Sequence, residues 1–212
     1  MPTDRRIVYV IGAGGHGKVV LDALLSGGLS KEFIRVRDRA AAEKGRYFLD
    51  IEVGAPEIID EMAGHLFHVA IGNAECRRRI FAELLQMGAR PLGVVHPNST
   101  ASQFADIGEG CFLAAHAVVA PAAFLGQAVI VNHGAVVDHD CHIGDFCHIA
   151  PHATLGGGVR LGSGVLVGAG AAVLPGITIG EGSVIGAGAV VHRNIASGQV
   201  WAGVPARQLK GN

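Results

Sequence analysis

The sequence predicts an α/β domain followed by a parallel β-solenoid. Residues 5–95 alternate between short apolar runs and segments with helical spacing, which is the pattern of a small parallel sheet. From residue 107 to residue 191 every sixth position is aliphatic, without exception. The 32 glycines, against 8 Phe, 2 Tyr and 1 Trp, suit stacked tight turns better than a core of bulky side chains. We expect a sheet domain at 1–95, a solenoid domain at 96–195 and a tail at 196–212.

Composition and charge narrow the classes of function. A formal net charge of −1 provides no electrostatic surface for nucleic acid or anionic membrane, so a small-molecule partner is expected. No apolar run approaches the length of a membrane span or of a signal-peptide core, and we expect a cytoplasmic protein without membrane insertion. The four cysteines form no C-x-x-C pair, which predicts reduced and mostly buried thiols.

The first domain is expected to contain three strands and two main helices. Strands are predicted at 7–11, 33–36 and 67–71, and a helix at 18–25. Residues 53–56 are interpreted as a turn into a short helix. An amphipathic helix is predicted at 74–87, with Arg77, Arg78 and Arg79 on its solvated face, from which one of them could reach a phosphate.

The segment Gly12-Ala13-Gly14-Gly15-His16-Gly17 follows a predicted strand and opens a predicted helix. The amides at the start of such a helix point at any anion bound there. The pattern is that of a Rossmann-like dinucleotide site, although the acidic residue expected about 20 positions later is only loosely matched by Asp38. Both a nicotinamide dinucleotide and a nucleotide diphosphate fit this loop, and the diphosphate is favoured because the sheet segment is short.

The six-residue period predicts the geometry of the second domain. Each hexad contributes one inward aliphatic residue, one small inward residue and a turn, so three hexads close a triangular coil of 18 residues. The small residues are Cys111, Ala117, Ala135, Cys141, Cys147, Ala153 and Ala189. Tight corners between flat faces follow from this pattern.

Five histidines lie close together in the solenoid sequence: His133, His139, His142, His148 and His152. Such a group invites a metal, as in the γ-class carbonic anhydrases, whose H-x4-H spacing does not occur among these residues. Histidines from different subunits could still converge on zinc, but no metal is expected. His142 and His152 are interpreted as outward-facing and solvated.

His139 is the best candidate for a general base. The carboxylates of Asp138 and Asp140 flank it, and a carboxylate beside an imidazole holds its tautomer and raises its basicity. Gly157 follows 18 residues later and should stack one coil above His139, where bare amides of residues 156–158 could face an oxyanion. His148 lies half a coil away, so the two histidines are expected to meet only across a subunit interface.

Three motifs together carry a resemblance to a known family: G-A-G-G-H-G-K-V-V, V-V-D-H-D-C-H-I-G-D-F-C-H-I and the terminal W-A-G-V-P-A-R. Along its whole length the chain resembles the sialic-acid O-acetyltransferases and bacterial sugar-nucleotide N-acetyltransferases. This family includes enzymes that acetylate the 4-amino group of UDP-linked bacillosamine precursors and of GDP-linked perosamine. The resemblance implies a left-handed β-helix, a homotrimer and acetyl-CoA as cosubstrate.

The resemblance also implies roles for individual residues. His139 would deprotonate the sugar amine with support from Asp140, and the amine would attack the thioester directly. The sugar nucleotide is expected near Gly14, Gly15, His16, Arg37, Asp38, Gly72 and Asn73. Acetyl-CoA is expected near His148, Ala169 and Ala187, with Arg207 as a phosphate contact.

Two departures from the family pattern leave the substrate open. Asp140 stands where the bacillosamine enzymes have glutamate, and Arg37-Asp38 stands where two adjacent acids occur, which favours a guanosine over a uridine nucleotide. The main hypothesis is N-acetylation of a nucleotide-linked 4-amino-4,6-dideoxy sugar. The alternatives are O-acetylation of a sugar hydroxyl, as in sialic acid, and a non-catalytic scaffold that binds nucleotide sugars.

Overall fold

The computed structural model describes residues 7–40 and 47–209. The chain divides into two compact units, Met1–Pro97 and Asn98–Asn212, which are described separately. Within the described residues, neither helix has the length and hydrophobicity that crossing a bilayer requires.

The first unit is built on a six-stranded sheet. Its elements are β1 Val8–Ile11, α1 Gly15–Ser26, β2 Ile34–Arg37, β3 Tyr47–Phe48, β4 Ile51–Gly54, β5 Leu66–Val69, α2 Ala74–Gln86, β6 Arg90–Pro91 and β7 Val94–Val95, with 3-10 turns at Lys31–Phe33 and Asp60–Met62. The strand order is β3-β4-β2-β1-β5-β6. β3 runs antiparallel to β4, and the other neighbouring pairs are parallel.

The order of strands creates a crevice at the carboxyl ends of β1 and β5. Helix α1 follows β1 and leads to β2 on one side, whereas α2 follows β5 and leads to β6 on the other side. Where neighbouring strands send their helices in opposite directions, the carboxyl edge of a parallel sheet opens into a ligand site. All four residues of β1 are buried, so the crevice stands on a rigid strand.

The three predicted strands and the two main helices of this unit are confirmed, but the short strands β3, β6 and β7 were not predicted, and one further prediction is wrong. Residues 51–54 form β4, parallel to β2, where the sequence suggested a turn into a helix. Ile51 and Val53 are buried while Glu52 between them is exposed. This period-2 alternation is a strand signal that the following Pro56 masked.

The solvated helix face predicted for the three arginines is wrong for Arg77. Its side chain is 1% exposed, and its guanidinium donates hydrogen bonds to the carbonyls of Ile71 (2.8 Å) and Gly72 (2.9 Å). Burying a guanidinium requires such acceptors, and here they belong to the loop after β5. Arg77 therefore fixes one wall of the crevice.

The second unit is a triangular solenoid of short strands, each of two residues except for a three-residue strand at Val200–Ala202. They are β8 Thr100–Ala101, β9 Asp106–Ile107, β10 Phe112–Leu113, β11 Val118–Val119, β12 Phe124–Leu125, β13 Ile130–Val131, β14 Val136–Val137, β15 His142–Ile143, β16 His148–Ile149, β17 Thr154–Leu155, β18 Arg160–Leu161, β19 Leu166–Val167, β20 Ala172–Val173, β21 Thr178–Ile179, β22 Val184–Ile185, β23 Val190–Val191, β24 Val200–Ala202 and β25 Arg207–Gln208. We call the face containing β14 face 1, that containing β15 face 2 and that containing β16 face 3. From β8 to β23, partner strands within a face are 18 residues apart, as in Val136 with Thr154.

The solenoid interior is the column of residues that the period predicts. Every sixth residue from Leu113 to Val191 is buried, and Ile107 at the first coil is partly buried. The small positions are buried too, and Cys111, Cys141 and Cys147 each direct Sγ to a glycine carbonyl of the next coil. Burying this continuous aliphatic column is what holds the coils in register.

Candidate active site

His139 lies at the corner between face 1 and face 2, two residues after the end of β14. Its carbonyl accepts from the amide of Gly158 at 2.9 Å, and the amide of Asp140 donates to the carbonyl of Pro121 at 3.3 Å. Asp140 has a φ of 58°, which turns the chain sharply at this corner. Hydrogen bonds to the coils above and below therefore fix the backbone that presents the imidazole.

The two carboxylates beside His139 have different tasks. Nδ1 of His139 donates to Oδ2 of Asp140 at 2.7 Å, while Oδ1 of Asp138 accepts from the backbone amide of His139 at 2.8 Å. The hydrogen bond to Asp140, and secondarily the charge of Asp138, raise the pKa of His139 above its ordinary value. With the proton held on Nδ1, Nε2 is the proton-accepting atom of a 62% exposed side chain.

Gly157 lies against the imidazole one coil above. A Cβ at Gly157 would come within 2.5 Å of Cε1 and 2.6 Å of Nε2 of His139. Of the three amides expected to face an oxyanion, that of Gly156 donates to Val173 and that of Gly158 donates to His139. The amide of Gly157 has no hydrogen bond with any described residue, so it is the one N–H of the three that is available beside Nε2.

Cys141 provides no nucleophile here, although it is two residues from His139. It points inward, and its Sγ lies 3.3 Å from the carbonyl of Gly156. Burial raises the pKa of its thiol, which disfavours the thiolate.

The residues expected to contact acetyl-CoA lie on another side of the solenoid. His148 begins β16 on face 3, with Nε2 at 3.2 Å from the side-chain nitrogen of Asn132. Ala169 and Ala187 are exposed at the corner between face 3 and face 1, and the carbonyl of Ala169 accepts from Gly188. His139 occupies the corner opposite face 3, so one chain does not bring it near His148.

The C-terminal tail folds back along the same corner as Ala187. The amide of Ala206 donates to the carbonyl of Val190 at 2.8 Å, and β25 pairs antiparallel with β24. Arg207 is exposed in β25, and its guanidinium contacts the carbonyl of Ala206. Arg207 therefore belongs to the side of the solenoid that contains Ala169 and Ala187.

The remaining histidines do not converge. His142 is exposed on face 2 and stacks on Phe124 with ring centroids 4.6 Å apart. His152 is exposed at the corner between face 3 and face 1, where its amide donates to the carbonyl of His133. Among residues 7–40 and 47–209, no three His, Cys, Asp or Glu side chains are arranged to hold a metal ion.

The crevice of the first unit is a cavity of about 370 Å³. Five of the predicted substrate-binding residues line it: Gly14, Gly15, His16, Asp38 and Gly72. Helix α1 begins at Gly15, so the amides of its first turn face the cavity, and α2 begins on the opposite wall. Two helix N-termini at one cavity favour a bound anion.

Asp38 is a brace of the glycine-rich loop as well as a cavity residue. Its Oδ2 accepts from the amide of Ala13 at 2.7 Å, and its Oδ1 accepts from the amide of Ala40 at 2.8 Å. Both carboxylate oxygens of Asp38 therefore already accept hydrogen bonds from the backbone.

Arg37 and Asn73 do not line this cavity. The side chain of Arg37 lines a separate cavity of about 730 Å³, and its Nε donates to the carbonyl of Pro56. Asp38 lies just beyond the end of β2, and its carboxylate turns to the amide of Ala13 in the glycine-rich loop, so the two neighbouring residues line different cavities. Asn73 caps α2 by accepting from the amide of Cys76 at 2.9 Å.

The predicted set omitted four cavity residues whose side chains are charged or carry a thiol: Arg39, Glu57, Cys76 and Arg79. Nη1 of Arg79 lies 3.8 Å from Oε2 of Glu83, which is one turn further along α2. The guanidinium of Arg79 places a positive charge at the cavity. The sequence suggested that one of the three arginines could reach a phosphate without indicating which. The helical repeat could have identified Arg79 as that arginine, because residues 76, 79 and 80 lie on one face of the helix.

Comparisons with known proteins agree with this arrangement. The PglD N-terminal domain family matches residues 7–84, and the bacterial transferase hexapeptide family, of six repeats, matches 122–157 and 158–193. No curated protein sequence matches significantly.

Solved structures of acetyltransferases match over nearly the whole chain, among them the following two. A histidine-to-asparagine variant of perosamine N-acetyltransferase from Caulobacter crescentus, in complex with CoA and GDP-perosamine, is 34% identical with a TM-score of 0.90 and 97% of each chain covered. The acetyltransferase domain of PglB from Neisseria gonorrhoeae, in complex with acetyl coenzyme A, is 37% identical with a TM-score of 0.88, covering 96% of this chain and 99% of that one.

These matches confirm the predicted fold class, a Rossmann-like parallel sheet followed by a left-handed parallel β-helix. They also confirm the expectation of an enzyme, because the matched chains are acetyltransferases at more than 30% identity. The chain belongs to the hexapeptide-repeat sugar acetyltransferases.

Proposed function

We propose that this protein transfers an acetyl group from acetyl-CoA to the 4-amino group of a nucleotide-linked 4-amino-4,6-dideoxy sugar, with a GDP-perosamine-like substrate favoured. The observation that carries the proposal is the pairing of His139 with Asp140 on an exposed corner, with Nε2 free to accept a proton. Further support comes from the similarity to a perosamine N-acetyltransferase crystallised with CoA and GDP-perosamine.

The proposed reaction is a direct transfer. The sugar amine attacks the thioester carbonyl carbon while one of its protons passes to Nε2 of His139, and the Nδ1–H bond to Asp140 stabilises the resulting imidazolium. The negative charge that develops on the carbonyl oxygen is expected beside the amide of Gly157. Collapse breaks the carbon–sulfur bond, and the departing thiolate takes the proton from His139.

Acetyl-CoA is proposed to lie along face 3 and the adjoining corner. The small side chains of Ala169 and Ala187 leave room for the extended coenzyme. In the tail, the apolar side chains of Val204 and Leu209 are exposed on either side of Arg207 in the sequence. His148 contributes a polar contact, and Arg207 contributes a cation for a phosphate. No metal is needed for this reaction.

The nucleotide is proposed to occupy the cavity of the first unit. The amides at the start of α1, next to Gly14 and Gly15, would bind the pyrophosphate, together with the guanidinium groups of Arg39 and Arg79. The bare glycines allow close approach of the phosphates, since a Cβ added to either glycine would have no neighbouring atom within 4 Å.

We infer that the working site combines two copies of the chain. His139 and His148 lie on opposite sides of one coil, so a coenzyme on face 3 cannot react at the His139 corner of the same chain. Closed rings of identical subunits bring unlike surfaces together, and the homotrimer implied by the family resemblance does so three times.

The proposal is tested by incubating the protein with acetyl-CoA and GDP-, UDP- or dTDP-linked 4-amino-4,6-dideoxy sugars and measuring free thiol. We expect thiol release that depends on the amino sugar and is fastest with the GDP-linked one. Matched sugars with a 4-hydroxyl group are the control. Release with the hydroxyl sugars alone would contradict N-acetylation.

A further inference from the structure

The cavity of the first unit contains a second carboxylate besides that of Asp38. Glu57 lines the cavity, is half-buried, and has no hydrogen bond or ion pair with the described residues. Asp38, by contrast, uses both carboxylate oxygens to hold the amides of Ala13 and Ala40. The two acids of the cavity are therefore not equivalent.

The order of the strands places Glu57 away from the phosphate-binding end. Loops enter the cavity after β4, β2, β1 and β5, which lie side by side in that order. Both helix N-termini are at the β1 and β5 end, while Glu57 follows β4, roughly 14 Å from β5 at a strand spacing of about 4.8 Å. A nucleotide with its pyrophosphate at the helix N-termini therefore extends its base toward β4.

Resting on the nucleotide site of the proposed function, we infer that Glu57 selects the base and that it selects guanine. Guanine presents N1–H and N2–H side by side, and a carboxylate accepts both in a bidentate arrangement. Uracil presents a single N3–H between two carbonyl oxygens, whose lone pairs repel a carboxylate. Glu57, rather than Asp38, is the specificity-determining acid.

The test is direct binding of free GDP and free UDP, measured by calorimetry on the full-length protein without acetyl-CoA. The substitution Glu57→Gln keeps the size of the side chain but presents one donor and one acceptor in place of two acceptor oxygens. Affinity for GDP should fall about tenfold or more, because a charge-assisted bond is lost and a donor now faces guanine donors. Affinity for UDP should stay the same or increase, since an amide complements N3–H and a neighbouring carbonyl.

Two further variants separate selection from structure. Glu61→Gln, which lies outside this cavity on the Asp60–Met62 turn, should bind both nucleotides as the wild type does. Asp38→Asn should weaken the binding of GDP and of UDP to a similar extent, because it loosens the glycine-rich loop that both nucleotides contact. The assignment would be overturned if Glu57→Gln bound GDP as tightly as the wild type does, or if its affinities for GDP and UDP fell equally. It would also be overturned if the wild type did not bind GDP.

The outcome is separable from that of the transfer reaction. Selective loss of GDP binding in Glu57→Gln, with no amino sugar acetylated by the wild type, would uphold the base assignment and refute the proposed reaction. Acetylation of a GDP-linked sugar by the wild type, with GDP bound equally by Glu57→Gln, would uphold the reaction and refute the base assignment.

Discussion

The two units position their candidate functional residues in different ways. In the solenoid, one repeat places Gly157 against His139, and a single missing Cβ makes room for the imidazole. In the sheet unit, four loops after β1, β2, β4 and β5 share the cavity. A repeating scaffold concentrates function in a few positions, whereas a cavity made by loops distributes it. Changes in the solenoid should therefore alter turnover, and changes in the sheet unit should alter nucleotide affinity.

The largest effect is expected from His139→Asn. Asparagine cannot accept the amine proton, so kcat should fall about 1000-fold, within the range that a general base contributes. Free GDP should bind to the variant as tightly as to the wild type, because the nucleotide cavity belongs to the other unit. Thiol release and calorimetry measure the two quantities. A variant that retained more than a tenth of the wild-type kcat would contradict the role of His139.

The next effect tests how strictly the repeat positions the base. In Gly157→Ala the added Cβ displaces the imidazole, and kcat should fall about 100-fold, as expected for a catalytic group misplaced by about 1 Å. Gly156→Ala is the matched control, since its Cβ would meet the ring of Pro175 at 2.9 Å and not His139. Equal losses of kcat in both variants would indicate general damage to the coil.

In the sheet unit, Gly17→Ala should lower stability and nucleotide affinity rather than kcat. Its Cβ would collide with the carbonyl oxygen of Gly12, forcing α1 away from the loop. The free energy of unfolding should fall by about 1–3 kcal/mol, typical of overpacking, and GDP should bind more weakly while kcat at saturation changes little. Gly27→Ala at the end of α1, where φ is −74°, is the control and should be close to wild type in denaturant titrations.

The smallest expected effect concerns pH. The base must be neutral to act, so activity is lost as pH falls through the raised pKa of His139. Asp140→Asn removes the largest cause of that rise, and the acidic limb of the kcat profile should move to lower pH, with kcat about tenfold lower. Asp138→Asn should move it less, because its charge is the secondary cause. An acidic limb that stays in place in Asp140→Asn would refute the coupling.

The same difference between units explains what the sequence could predict. Counting by six located the strands of the solenoid from residue 107 to residue 191 and placed Gly157 above His139, because position in the chain sets position in space in a repeat. It did not reveal that the amides of Gly156 and Gly158 are occupied by bonds between coils. That information lies in the register of neighbouring coils.

In the sheet unit, the strands were predictable but the walls of the cavity were not. Arg37 and Asp38 are adjacent in sequence, yet they face different cavities. Arg77 was expected in solvent but is buried against two carbonyls of a loop. Glu57 follows a strand that was itself mistaken for a turn. Loop paths are set by tertiary contacts, which a local pattern does not encode.

Mixing two inactive variants tests the central claim, that one site needs two chains, most directly. His139→Asn lacks the base, and Ala187→Trp blocks the coenzyme corner while keeping His139 intact. Each should be inactive alone, but co-refolded in equal amounts they should regain about a quarter of wild-type activity, because a quarter of sites in randomly mixed rings then receive both intact halves. A mixture as inactive as its components would show that base and coenzyme belong to the same chain.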